Sequence, residues 1–434
     1  MIIPRTLFAN RVQATEPAHG YKPGMNDSAT LLPEEEARSR ILALCAPLPT
    51  EWLALDDALG RVLAEDVAAQ RTLPPWDNSA MDGYAVRSAD LTGPLPTRLT
   101  VGETVYAGAT PARALEPGVC ARIMTGAPLP EGADAVVMRE RTRPAGNNGA
   151  DQVEILEAVT PGHFVRPRGE DAREGQVLLE GGTPLGIPEL GLLWGQGRQS
   201  APVHRAPRVA ILSTGDELCH VDEPPQGRIV DTNAPSLALA VRRAGGIPTL
   251  LGIARDTRDS VGAALSRADG FDVVITSAGV SVGERDYVKE VLAAMGVEQH
   301  LWRVAIKPGK PLVVGRRGAT LFFGLPGNPT SSLVTFELFV RPALRRLLGH
   351  APRAPGRVPG RLEGRLSKPV GLSHFVRVTA AWREGSLWAR PLATQTSGVL
   401  RSAAAATHLL HFPREASSLD EGDAVELLPL SWVA

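Results

Sequence analysis

The sequence predicts an α/β multidomain protein organised around a doubly wound parallel sheet, and three observations carry that expectation. Apolar β runs alternate with helical segments across 208–296. Short β segments broken by Gly and Pro come before them, and alternating strands follow a Pro/Gly/Arg-rich stretch at 351–361. With 434 residues the chain exceeds one ordinary domain, so several compact units are expected.

Each element has a local reason. Residues 33–44, PEEEARSRILAL, set carboxylates ahead of apolar groups at helical spacing, the pattern of an amphipathic helix with acids at its positive end. A second short helix is expected over 56–63. Residues 98–105 and 135–139 read as strands of a small β-rich unit whose style continues to Gly182, and 187–194 returns to helix. At Arg208 the rhythm changes. VAILST is a buried strand, 233–244 a helix stopped by Gly245-Gly246, 247–253 a strand and 257–268 a helix. FDVVITS (271–277) is another buried strand, and 286–295 is helical up to Gly296. A hairpin over 311–314 and 320–323 leads into a long helix, 331–348. Beyond the linker at 351–361, residues 375–381, 387–389 and 424–428 alternate as strands of a small all-β C-terminal domain.

Composition excludes several roles. Lys plus Arg number 46 against 47 Asp plus Glu, so no global basic field draws nucleic acid or a membrane surface, and any bound anion needs a local grip. Cys45, Cys120 and Cys219 are widely spaced with no CxxC, the usage of a reducing compartment. No apolar run reaches the ~18–20 residues of a membrane span. Residues 1–30 have no long apolar core and read as a loose extension, or an over-long start ahead of Met25, rather than a signal peptide. A cytoplasmic protein with neither nucleic-acid nor membrane partner is expected.

The chemistry concentrates in loops that leave predicted strands, where open α/β sheets bind ligands. After FDVVITS come Ser277, Ala278, Gly279, Ser281 and Gly283, then Asp286. The glycines admit close backbone approach and the next helix start favours negative charge, although neither GK[ST] nor GxGxxG is present. A second loop, Gly324 to Pro329, is stiffened by Pro326 and Pro329 and precedes Ser331 in a first helical turn. A third, Ser213 to Leu218, carries Glu217. Carboxylates beside anion-binding loops point to a divalent cation held through oxygen. The candidates are Glu217, Asp256 and Asp286 in the sheet domain and Asp82 and Asp171 in the β-rich unit. Singly each is an ordinary cap or turn residue; the cluster is the signal. Lys307 and Lys310, on the rigid turn AIKPGKP, form a candidate oxyanion site, with a solvated turn as the plainer alternative. Arg377 interrupts an apolar strand, a pattern that an exposed strand face also explains.

The runs PPWDNSAMDGYAVR (74–87), RIMTGAPLPEGADAVVMRE (122–140), RPRGED (166–171), STGDEL (213–218), DTN (231–233), SAGVSVGERDY (277–287), AIKPGKP (305–311) and GLPGNP (324–329) resemble the bacterial molybdopterin molybdenumtransferase family, related to the pterin-handling domain of gephyrin. The resemblance runs in order from about Pro33 to the C-terminus. It implies an enzyme that inserts molybdenum from molybdate into the dithiolene of adenylylated molybdopterin and releases AMP, with Mg²⁺ assisting. It further implies a homodimer whose cleft lies between the sheet and terminal domains of one subunit and the β-rich domain of the other. Transient contacts with a molybdopterin adenylyltransferase and with apo-molybdoenzymes follow from such a place in a pathway.

By matching motif, Asp82, Thr125, Asp171, Glu217, Asp256 and Asp286 would surround the adenylate, with Asp171, Glu217 and Asp286 as metal ligands. Gly279, Ser281, Gly283, Pro326 and Pro329 would line the substrate, and Lys307, Lys310, Ser331, Arg377 and Ser397 the oxyanion. The implied division is a helical linking domain (31–76 and 172–206), a β-rich inserted domain (77–171), a molybdopterin-binding α/β domain (207–350) and a C-terminal β domain (351–434). Two departures stand out: Arg303 where many members have Lys, and Ala278-Gly279 where many have Gly-Gly. The motifs outside the sheet domain argue against a molybdopterin adenylyltransferase, which resembles that domain alone. The acidic set argues against a non-catalytic carrier, and tungsten in place of molybdenum stays an open third reading.

Overall fold

The structure, a computed structural model, describes residues 31–145, 152–224, 226–279 and 287–433. Helix Glu34–Ala43 forms where its spacing predicts, with three glutamates in its first turn. The helix expected over 56–63 does not form. A single 3-10 turn, Leu55–Asp57, gives way to Gly60 at φ 77, a left-handed backbone that ends helical geometry. Val62 and Leu63 then bridge as extended residues to Pro184 and Val203. Strand Thr50–Ala54 pairs antiparallel with Ser200–His204. Leu55, Leu63, Leu190 and Val203 share one core, so the segments flanking the β-rich part close into one linking unit.

Between those segments lies a six-stranded sheet in the order Ala135–Met138, Gly83–Val86, Val119–Ile123, Thr97–Val105, Gln152–Ile155, Thr142–Ala145. Outside it, Asn78–Ser79 pairs with Val165–Arg166.

The sheet domain holds β1 (Arg208–Thr214), β2 (Ile247–Ala254), β3 (Val273–Ser277), β4 (Glu298–Trp302), β5 (Val313–Arg317) and β6 (Thr320–Leu325). Their order is β2-β1-β3-β6-β5-β4. The first four are parallel, while β5 runs antiparallel to β6 and β4 antiparallel to β5. The short turn between β5 and β6 leaves no room for a crossover, so this edge is antiparallel. Alternation along each strand builds two cores. Val209, Ile211, Ile275 and Phe323 pack with helices Asn233–Arg243 and Arg341–Leu347 and with Ala37 and Ile41 of the first helix. Ala210, Leu212, Val274 and Phe322 pack with helices Arg258–Ser266 and Tyr287–Ala294 on the other face.

The last helix starts at Pro329, two residues earlier than expected, because proline is suited to a first helical position. It passes through a π turn, Phe336–Val340, into Arg341–Leu347. In that turn Glu337 is fully buried. Burial raises its pKa, while it accepts bonds from Arg341 (2.9 Å) and the Ser431 hydroxyl (2.5 Å). The predicted linker is half strand: Val358–Leu362 belongs to the terminal sheet, whose order is Ile306–Lys307, Ser373–Arg383, Ser386–Pro391, Val358–Leu362, Ala424–Pro429, His408–Phe412. A further pairing of His408–Phe412 with Ser373–Arg383 closes it on itself. Its first strand, Ile306–Lys307, is lent by the sheet domain.

Arg205, at the end of the linking unit, is clasped to Asp272 before β3 by bonds of 2.7 and 2.6 Å, and the Arg208 amide adds a third at 2.8 Å. Burial pushes the Asp272 carboxyl up, but these donors outweigh it and hold it below the ordinary carboxylate value. A depressed folded pKa contributes stability above the unfolded value that is lost as pH falls through the folded one. Wild type should therefore lose this contribution below about pH 4. Asp272→Asn should cost about 1–2 kcal/mol at neutral pH, discounted for the partly exposed guanidinium, and should flatten that acid limb. Unfolding curves at pH 7 and pH 3 check both; parallel curves for the two proteins would refute the clasp.

Candidate active site

Strands β1, β3 and β6 are neighbours, so their exit loops lie side by side at the carboxyl edge of the sheet. The chain leaves β1 for β2 on one side and returns across to β3 on the other, which opens a crevice at the reversal. A cleft of about 550 Å³ occupies it, lined by Thr214 and Glu217 after β1, Ser277, Ala278 and Gly279 after β3, and Pro326 to Pro329 after β6. Asp231, Asn233, Pro311 and Gly398 also line it.

Local backbone chemistry shapes these loops. Gly215 has φ 152, and a Cβ there would meet the Glu217 carboxylate at 2.5 Å, so the missing side chain lets that carboxylate fold back. Gly279 has φ 74, and its Cβ would strike Val288 Cγ2 at 2.2 Å. Ala278 adopts φ 73 without glycine's freedom, so the departure noted in the sequence places a strained residue on the cleft wall. Arg303, the other departure, has φ 72 and lies 4.8 Å over the Trp302 ring.

Two residues with no assigned role prove central. Asn233 donates from Nδ2 to Ser277 Oγ (2.8 Å) and to the Gly327 carbonyl (2.7 Å), tying the β3 and β6 loops together. Asp231 accepts from the amides of Asn233 (2.9 Å) and Ala234 (3.3 Å) at the start of the following helix. Asp-x-Asn ahead of an apolar helical run is a capping signature, and that signal was available in DTN. The Thr214 hydroxyl is buried there without a partner among the described residues.

The terminal domain reaches the same cleft. Ser397 Oγ accepts from Asn328 Nδ2 (3.0 Å), and the Ser397 carbonyl accepts from the Thr330 amide (3.1 Å). Arg377 is not on an exposed face: it is 1% exposed. Its Nη2 donates to the carbonyls of Thr394 (3.2 Å) and Thr396 (3.3 Å), while Nε and Nη1 have no partner among the described residues. Burial lowers its pKa. Ser331 is buried in the first turn of the last helix, beneath Gly309, whose φ of 103 lets the lysine turn press against Thr335. Lys307 is exposed and Lys310 half-buried; the cleft wall takes Pro311 from this turn but neither lysine. His374, paired with Lys307 across the sheet, is pushed down to about 4 by burial and then by Lys307 and Lys368.

The remaining candidates separate. Asp82 Oδ1 accepts from the Thr125 amide (2.7 Å) and hydroxyl (2.8 Å), bonds that lower its pKa with help from Arg139 and Arg122. The pairing of Asn78 with Arg166, and an Arg168 amide bond to Asp77 (2.6 Å), bring RPRGED alongside. Asp171 is exposed at the end of that run. Three motifs thus form one patch on the β-rich domain, and none of its residues lines the cleft. Asp256 follows β2, its amide bonded to Asp216 (3.3 Å), and is also off the wall. Ser281, Gly283 and Asp286 lie outside the described residues. Among the described residues no group of three or more His, Cys, Asp or Glu is placed to hold a metal.

Comparison with known proteins decides the family. Residues 32–197 match the MoeA N-terminal region (domain I and II), 210–346 a probable molybdopterin binding domain, and 359–430 the MoeA C-terminal region (domain IV). A molybdopterin molybdenumtransferase of Bacillus subtilis (strain 168) is 36% identical over 410 residues, 93% of this chain and 95% of that protein. The chain belongs to the molybdopterin molybdenumtransferase family. A second member, from Nostoc sp., is 42% identical over 346 residues, covering 77% of each chain. The crystal structure of a molybdopterin biosynthesis MoeA protein from Pyrococcus horikoshii OT3 is 30% identical, with TM-score 0.79 over 92% of this chain and 99% of that one. The multidomain α/β architecture with a β-rich terminal domain is therefore the family's own.

Proposed function

We propose that the chain transfers molybdenum from molybdate into the dithiolene of adenylylated molybdopterin and releases AMP, completing the cofactor. The observation that carries this reading is the cleft at the sheet's reversal, bridged to the terminal domain through Asn328 and Ser397. Amides and hydroxyls of three strand-exit loops suit the adenylate's phosphates, and the lysine turn at Pro311 suits an oxyanion entering beside them. Glu217 and Asp231 give the wall two carboxylates, a donor set that fits Mg²⁺, which takes one or two carboxylates together with substrate phosphate oxygens. Bound there, Mg²⁺ would neutralise phosphate charge. Asp171 and Asp286 remain proposed as further ligands, with the β-rich patch offering Asp171 from outside the wall.

The test is AMP release from adenylylated molybdopterin in the presence of molybdate. Glu217→Gln should lower turnover about a hundred-fold with little change in unfolding midpoint, and chelator should abolish it. Full activity in chelator, or an unaffected Glu217→Gln protein, would overturn the metal-assisted site.

A homodimer is the second part of the proposal. The wall lacks the Asp82–Thr125 patch, and a two-fold partner can supply it. The edge strand β2 and its neighbouring helix expose Ile247 (55%), Leu250 (51%) and Leu239 (63%), an apolar patch suited to that contact. Mixing inactive Asp82→Asn and Lys307→Ala chains should restore about a quarter of the sites after 1:1 exchange. Activity no higher than that of the parents would count against a shared cleft.

We place the reaction in the cytoplasm. Cys45, Cys120 and Cys219 are free and buried, as suits a reducing compartment. Among the described residues no helix is long and apolar enough to cross a membrane. Substrate arriving from a molybdopterin adenylyltransferase and product passing to apo-molybdoenzymes remain the proposed transient partners.

A further inference from the structure

A second cavity, of about 460 Å³, lies where the linking unit, the last helix and the start of the connector at 350–356 meet. Gly182 and Pro184 come from the linking unit; facing them are Arg341, Arg345, His350 and Arg353, with Pro342 and Pro355 between. Among the described residues no carboxylate lines it. Among the described residues, Glu337, behind the wall, is the one acid paired with a lining arginine, meeting Arg341 at 2.9 Å. Arg345 Nη2 lies 3.2 Å from His350 Nδ1. A guanidinium only donates, so Nδ1 accepts and the proton sits on Nε2 as a further donor. Burial and then Arg345 push His350 down to about 4, which keeps that tautomer neutral at pH 7. Burial and then Arg341 lower Arg345 as well.

Guanidinium forks match paired phosphate oxygens, and a cavity this size exceeds one tetrahedral oxyanion and suits a small organic ligand. We propose that this cavity binds the phosphoryl group of a small phosphorylated molecule, with Arg345 and Arg353 as charged contacts, His350 as a further donor, and Pro184, Pro342 and Pro355 against the apolar remainder. The site is separate from the molybdenum cleft and shares no lining residue with it.

Calorimetric titration of the full chain with phenyl phosphate and with inorganic phosphate tests it. The ester should bind at least ten-fold more tightly than free phosphate. Arg345→Ala/Arg353→Ala should weaken the ester ten-fold or more, while Lys307→Ala/Lys310→Ala leaves it unchanged. Equal binding by the arginine variant and wild type would overturn the site. Loss in the lysine variant would reassign the binding to the molybdenum cleft and overturn it too, and equal affinity for phosphate and ester would overturn the organic ligand. Should the double variant fail to fold, Arg345→Gln, which keeps a polar side chain and removes the charge, reads the same loss.

Discussion

Gly279→Ala should cost the protein both stability and turnover. The new methyl group would sit 2.2 Å from Val288 Cγ2 and 3.1 Å from Thr214 Oγ1, on a backbone at φ 74. Overpacking and the left-handed conformation together should destabilise by about 2–4 kcal/mol. Because the loop after β3 forms part of the cleft wall, turnover of the folded fraction should fall by about a hundred-fold. Ala278→Gly is the matching control. It relieves a strained alanine at φ 73 and should leave stability unchanged or raised by up to about 1 kcal/mol. Thermal unfolding with AMP release per folded molecule measures both. A Gly279→Ala protein with unaltered midpoint and turnover would show that the loop relaxes freely.

The second large effect is expected at Arg377. Its guanidinium is buried with two nitrogens unpartnered among the described residues, an arrangement that costs folding free energy and suits an incoming anion or its water. Arg377→Met fills similar volume and removes the buried charge, so the unfolding midpoint should hold or rise. The molybdate concentration for half-maximal rate should rise about ten- to a hundred-fold. A fall in midpoint with an unchanged molybdate requirement would make Arg377 a strut for the Thr394–Thr396 loop and nothing more.

The sequence made the sheet domain legible because its strands are uniform apolar runs and its helices end at glycines. Val209–Leu212 and Val273–Ile275 are buried on both faces, and no polar residue disguises them. The edge strand Glu298–Trp302 carries no such signal, since only Leu301 in it is buried and an antiparallel edge needs no continuous apolar run. The helix expected over 56–63 failed on Gly60, whose left-handed backbone outweighed a weak periodicity. The exit loops were readable as a group, but their joints were not. Asn233 bridges two loops distant in sequence, and Arg377 is buried by partners 17 and 19 positions away. Such pairings are set by tertiary packing and leave no local pattern. Nor does any single-chain pattern reveal that the Asp82–Thr125 patch stays off the cleft wall.

The two residues Ile306–Lys307 run as a strand of the terminal sheet while their neighbours belong to the sheet domain. The chain is therefore stitched twice across that boundary, once by the connector and once by this strand. Phe375, Leu409 and Leu428 of the terminal sheet also pack into the core of the sheet domain, and the Ser431 hydroxyl bonds Glu337 across the same boundary. The lysine's place is thus set by the seam between two domains and not by its own turn, so a core substitution at that seam shifts the positive charge as surely as one beside it.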